Sequence, residues 1–222
     1  MANKIIPLFV CLIGVAIFMS LFGKYLYVSN DASKYNNQGI ALYNQGKNDE
    51  ALVYFKKSVE EDSNFAEGYT NMGLVFEANG DYDSALQYHK KALELKPTLA
   101  KAHENVGLVY YNMGQYNEAL SKFNQSLTIK PGNHETYNNL ALTYQKLGDN
   151  RNCIINLMKA VELDSENSRY YYHMGNCYDG YGDATKAMEN YGKAYSLEPG
   201  NSQYKRTYEI FQKKVAYQAN PF

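Results

Sequence analysis

A 34-residue period governs this chain. The stretch 100–133 reads AKAHENVGLVYYNMGQYNEALSKFNQSLTIKPGN, and in it Gly107, Tyr110, Ala119, Phe123 and Pro131 stand where two antiparallel helices need small contacts, large fillers and a stop. One period upstream, Gly73, Phe76, Ala85, His89 and Pro97 keep the same phase. Two periods downstream, Gly175, Tyr178, Ala187, Tyr191 and Pro199 keep it again. A fixed period of this length marks a stacked array, in which each unit contacts its neighbours and no single globular core forms.

Five copies can be laid out, at 32–65, 66–99, 100–133, 134–167 and 168–201. Each opens on Tyr35, Tyr69, His103, Tyr137 or Tyr171, with a small residue four positions on: Gly39, Gly73, Gly107, Ala141 or Gly175. A turn glycine follows (Gly46, Gly80, Gly114, Gly148, Gly182), the residue that tolerates the positive φ past a helix end. Three residues later come Asp49, Asp83, Asn117, Arg151 and Thr185. Four of these five suit a helix N-cap, so the second helix is expected to begin there. Prolines 97, 131 and 199 close three of the second helices, and Ser63 and Ser165 stand in the other two.

This pattern resembles the tetratricopeptide repeat family over about 170 residues of the chain. The departures keep size: Ala141 for the first small residue, Cys153 for the second, His89 and His103 in aromatic slots, and no tryptophan. The resemblance implies an all-α fold, a right-handed α-solenoid of five helix-turn-helix repeats. After Asn201 the spacing changes. Tyr204, Tyr208, Phe211 and Val215 recur at helical steps over 202–218, with Lys205, Arg206, Lys213 and Lys214 off that face, which is what a capping helix needs. Residues 219–222 form a short tail.

After a leader at 1–4, residues 5–23 are uncharged and mostly apolar. A helix of that length reaches roughly 28 Å, close to the hydrocarbon thickness of a bilayer. The run exceeds a typical signal core and lacks a small-x-small site before Asn30, so it is expected to be an uncleaved transmembrane anchor. The alternative is cleavage, which would leave a secreted or periplasmic repeat protein. Lys4 and the free amine, weighed against Lys24 and Lys34 with Asp31, tip the array toward the non-cytoplasmic side. The linker 24–31 would hold the array within about 28 Å of the membrane.

A formal net charge of -1 and the absence of any basic stripe argue against nucleic acid. No phosphate-binding loop, nucleophile elbow or zinc-protease helix is present, so the chain reads as neither enzyme nor cofactor carrier. His173 and Cys177 lie one turn apart and Cys153 falls on the preceding helix, but structural zinc takes four ligands, and packing cysteines are the better reading. The 23 tyrosines fall mostly on space-filling positions.

One recurrence is not explained by packing. Asn37, Asn71, Asn105 and Asn139 repeat at 34 residues inside the first helices, with His173 in the fifth copy. Asparagine is a mediocre helix former, so its repetition there needs a cause. The same face carries Ile40, Leu74, Leu108 and Leu142, and the charges Glu67, Lys101, Glu135 and Arg169. By resemblance to the family, this face lines a concave groove. An amide offers a donor and an acceptor, as a peptide backbone does, and rungs about 10 Å apart would meet every third residue of a strand. The arrangement resembles the asparagine ladder in the repeats of O-linked N-acetylglucosamine transferase. The expected function is a membrane-tethered scaffold that binds an extended protein or peptide segment, and self-association is the other partner class.

Overall fold

The computed structural model describes residues 31–219. The leader, the apolar segment 5–23, all but the last residue of the linker and all but the first residue of the tail lie outside them. Every regular element among the described residues is an α-helix, and none of these helices is long and apolar enough to cross a membrane. The chain divides into two compact units after Pro97. The first contains α1 (31–43), α2 (Asn48–Glu61), α3 (Ala66–Ala78) and α4 (Tyr82–Leu95). The second contains α5 (Ala100–Asn112), α6 (Tyr116–Ile129), α7 (His134–Lys146), α8 (Asn150–Leu163), α9 (Ser168–Tyr181), α10 (Ala184–Leu197) and α11 (Ser202–Ala219).

The turn inside each pair is set by one residue. Gly46, Gly80, Gly114, Gly148 and Gly182 all have positive φ, between 76° and 92°, so the chain reverses without the strain a side chain would add there. Because that reversal takes a single glycine, the next residue already occupies the N-cap: Lys47, Asp81, Gln115, Asp149 and Asp183. Asp81, Asp149 and Asp183 accept from the backbone N–H groups of Ser84, Asn152 and Lys186 at 3.0–3.1 Å. The capping role expected at Asp49, Asp83, Asn117 and Thr185 is therefore corrected to the residue two positions earlier. Asp49 and Asp83 lie inside the first turn, where a carboxylate still favours the positive end of the helix dipole.

Packing within each pair depends on a small residue meeting a large one. A Cβ on Gly39 would lie 2.5 Å from the Phe55 ring, and one on Gly73 would lie 2.4 Å from His89. In the second unit the same conflict joins Gly107 to Phe123 at 2.6 Å and Gly175 to Tyr191 at 2.5 Å. The fourth repeat carries Ala141 instead of glycine, and its filler is the smaller Leu157; both are fully buried. The two positions adjust to one another in volume. Gly107→Ala should accordingly cost about 2 kcal/mol by overpacking against Phe123, and Phe123→Leu in the same chain should recover most of it, a pair read out by urea midpoints.

In the first unit, Ala51, Phe55, Met72 and Val75 form a buried cluster that Tyr43 and Tyr69 flank. In the second, Ala119, Phe123, Leu127 and Leu140 pack between α6 and α7, and Cys153, Leu157, Tyr170, Met174 and Cys177 between α8 and α9. Cys153 and Cys177 are joined as a disulfide, with Cα atoms 6.1 Å apart and neither residue exposed. The two cysteines read as packing residues are thus a covalent link between the fourth and fifth repeats. The α11 helix turns Tyr204 and Phe211 inward and seats Phe211 on Tyr191 with ring centroids 4.7 Å apart. This covers the apolar side that α10 would otherwise leave open.

Candidate functional site

Within each unit the first helix of every repeat carries one of the candidate rungs, and the structure gives these rungs different environments. In the first unit Asn37 is exposed and its amide has no partner among the described residues. Asn71 is half-buried and donates its Nδ2–H to Asn36 Oδ1 at 2.7 Å, tying α3 to α1. Ile40 is 37% exposed and Leu74 half-buried, so both leave apolar surface uncovered. Glu67 is engaged by Lys96 at 2.7 Å.

In the second unit Asn105 is 1% exposed and neither of its amide atoms finds a hydrogen-bond partner. Buried amides are normally paired, so this residue cannot offer itself to a ligand without a local change. Asn139 is half-buried, and its side-chain amide has no partner among the described residues. His173 approaches Asn138 Oδ1 through Nδ1 at 2.8 Å; the amide oxygen can only accept, so Nδ1 carries the proton and Nε2 is left as an acceptor. Burial, with Arg169 close by, pushes the His173 pKa down to about 4. The ring is therefore neutral at physiological pH. Leu108 and Leu142 are half-buried, Lys101, Glu135 and Arg169 exposed. Lys101 Nζ lies 3.1 Å from Glu104 Oε2, whereas Arg169 and Glu135 form no ion pair among the described residues.

The five ladder positions thus separate into three kinds of rung, and Asn105, buried with its amide unpaired among the described residues, is a kind of its own. Asn37 and Asn139 present open amides, while Asn71 and His173 are engaged with the preceding first helix. Their partners, Asn36 and Asn138, are buried and stand three periods apart, one residue before the ladder positions. Glu104 holds the same position in the third repeat at 1% exposure, bonded to Lys101 and to Asn133 Nδ2 at 3.5 Å. These buried polar residues, Asn36 in the first unit and Glu104 and Asn138 in the second, are not among the expected site residues. Their sequence signal was the recurrence of Asn36 and Asn138 in one phase.

His173 remains one helical turn from Cys177, but both cysteine sulfurs are engaged with each other. No group of three or more potential metal ligands occurs among the described residues. In the first unit the face offers the partly uncovered Ile40 and Leu74 and the Asn37 amide; in the second it offers Leu108 and Leu142, the Asn139 amide, a neutral imidazole acceptor, and Glu135 and Arg169, which form no ion pair among the described residues.

Comparison with known proteins places this arrangement. Two family models, both described as Tetratricopeptide repeat, match residues 30–98 and 64–132, and residues 134–167 and 168–201. No curated protein sequence matches at a significant level. Among solved structures, MamA 41-end from Desulfovibrio magneticus RS-1 is 28% identical, with a TM-score of 0.68 over 78% of this chain and 97% of its own. PilF of Pseudomonas aeruginosa is 17% identical and superimposes with a TM-score of 0.74 over 87% of this chain and 94% of its own. YrrB, described as having an unusual peptide-binding site, is 21% identical, with a TM-score of 0.64 over 81% and 92% of the two chains.

Proposed function

Because the chain belongs to the tetratricopeptide repeat family, we propose that it is a membrane-tethered scaffold that seats an extended partner segment on the first-helix face of its repeats. The observation that carries the reading is the row of aliphatic side chains left partly uncovered at the repeat period: Ile40 and Leu74 in the first unit, Leu108 and Leu142 in the second. A helix face that served packing alone would bury such residues or replace them with polar ones. YrrB, a protein of the same fold, supports the reading through the peptide-binding site for which it is described.

Within the second unit the roles divide by chemistry. Leu108 and Leu142 supply apolar contact, the Asn139 amide and His173 Nε2 fix backbone pose, and Arg169 against Glu135 selects charge. Residues 5–23 act as the anchor. The Cys153–Cys177 disulfide supports the non-cytoplasmic orientation, since such links persist where the environment is oxidising.

The test is partner capture. A photo-reactive side chain in place of Asn139, introduced into the full chain in its native membranes, should cross-link a partner segment. Leu142→Ala with Arg169→Glu should weaken that capture by about 10-fold or more, as the loss of one apolar contact and one charge-assisted contact would, while helicity stays unchanged. Capture that is indifferent to both changes would remove the reading.

A further inference from the structure

The second unit carries two exposed surfaces that the binding face does not use, and they are complementary. The first is a cavity of about 690 Å³ on α8 and α9, lined by Ile155, Met158, Val161, Glu162, Tyr171 and Met174. Ile155 is 42% exposed and Met158 56%, a large amount of apolar surface to leave in water. The repeat framework does not account for it. At the positions of Ile155 and Met158 the other repeats carry Val53 and Lys56, Gln87 and Lys90, Ser121 and Asn124, and Glu189 and Gly192. Only the fourth repeat has two apolar residues there. Lys159, also on the rim, is turned over the Tyr137 ring at 5.4 Å, which leaves the exposed Glu162 carboxylate without a partner among the described residues.

The second surface is the outer face of α11. Arg206, Ile210, Lys213 and Tyr217 follow one another at steps of four, three and four, so they form a single stripe opposite the capping residues. Ile210 is 52% exposed and Tyr217 72%. Lys214 is held by Asp179 at 2.7 Å, whereas Arg206 and Lys213 are exposed with no ion pair among the described residues. A terminal cap needs apolar residues on its inner face only, so Ile210 and Tyr217 are not explained by capping.

We propose that the outer stripe of α11 docks into the α8–α9 cavity of a second copy of this chain. Ile210 would meet Ile155 and Met158, and Arg206 and Lys213 would meet Glu162. One surface is apolar with a carboxylate that neither nearby lysine holds, Lys159 being turned over Tyr137 and Lys193 over Tyr171 at 5.7 Å; the other is apolar with cations that form no ion pair among the described residues, and both are helix faces of the same unit. The contact is heterologous, so a pair joined by it keeps a free cavity on one copy and a free helix on the other, and association propagates from chain to chain. This assembly is independent of the first-helix binding face.

The heterologous geometry gives a decisive test on the full chain in mild detergent, read by sedimentation. Wild type should form oligomers larger than dimers as concentration rises. Met158→Asp and Ile210→Asp, both at exposed positions, should each be monomeric alone, and their equimolar mixture should stop at dimers, because one variant retains only the helix and the other only the cavity. Should either variant fold poorly by circular dichroism, Glu162→Lys and the double variant Arg206→Glu/Lys213→Glu replace them. Each of these should associate about 10-fold more weakly than wild type and recover on mixing. A monomeric wild type, variants that still associate, or mixtures that do not recover would each overturn the proposal.

Discussion

Reduction of the Cys153–Cys177 disulfide should lower the unfolding free energy of the second unit by about 3.5 kcal/mol, the loop-closure value for a separation of 24 residues. The corresponding fall in melting temperature is roughly 10–15 °C for a unit of this size. Both cysteines are fully buried between α8 and α9, so the bond restrains the fourth repeat against the fifth in a place solvent does not reach. The variant that isolates the bond is Cys153→Ala with Cys177→Val. Ala51 and Val75 fill the same two slots in the first unit and are fully buried, so this pair restores a packing the fold already uses. It should melt like the reduced wild type and be indifferent to reductant. Alkylation of the untreated, denatured chain should modify Cys11 alone; modification of all three cysteines would show that the bond does not form in the cell. A cytoplasmic array would give that second result, so the same experiment bears on membrane orientation.

The disulfide also shows where sequence reasoning stops. Cys153 stands in the slot of Ala51, Ala85, Ala119 and Ala187, and reads as another small packing residue. Only contact between that slot and the third turn of the next helix brings it to Cys177, and such a contact is set by how neighbouring helices are staggered. The helix pairs themselves were legible, because their determinants are local: a glycine at positive φ between the helices, and a small residue facing a large one across them. The shift of the N-caps to Asp81, Asp149 and Asp183 was legible too, had the one-residue length of the glycine turn been weighed against the preference for Asp and Asn three residues on.

The binding face was harder for the same reason. A periodic asparagine on a helix says which way the amide points to within one position, about 100° of rotation. It does not say whether the neighbouring helix lies within reach. Asn71 finds Asn36 there and is engaged; Asn139 finds no side-chain partner among the described residues. Truncating the two to alanine should therefore separate structure from binding. Asn71→Ala removes a hydrogen bond to a buried acceptor and should cost about 1–3 kcal/mol of stability, whereas Asn139→Ala should leave stability nearly unchanged and weaken partner capture.

His173 gives the second large effect, and its sign follows from burial. Its pKa lies at about 4 in the folded chain against an ordinary 6.5, so between those values the unfolded chain takes up a proton that the folded chain refuses. Above 6.5 the ring is neutral in both states and contributes no pH dependence. As pH falls from 6.5 toward 4 the second unit should lose up to about 3 kcal/mol through this residue, and little more below. His173→Asn should abolish that loss without breaking the contact, because Asn71 makes the equivalent bond to Asn36 at 2.7 Å in the first unit. Urea unfolding of both proteins across this interval measures the difference directly, and parallel curves would show that His173 does not titrate as its burial requires. The same burial has a functional corollary. From neutral pH down to 6.5 the charge at this rung is that of Arg169 alone, so partner capture should be constant over that range. It should weaken only where the second unit itself begins to lose stability.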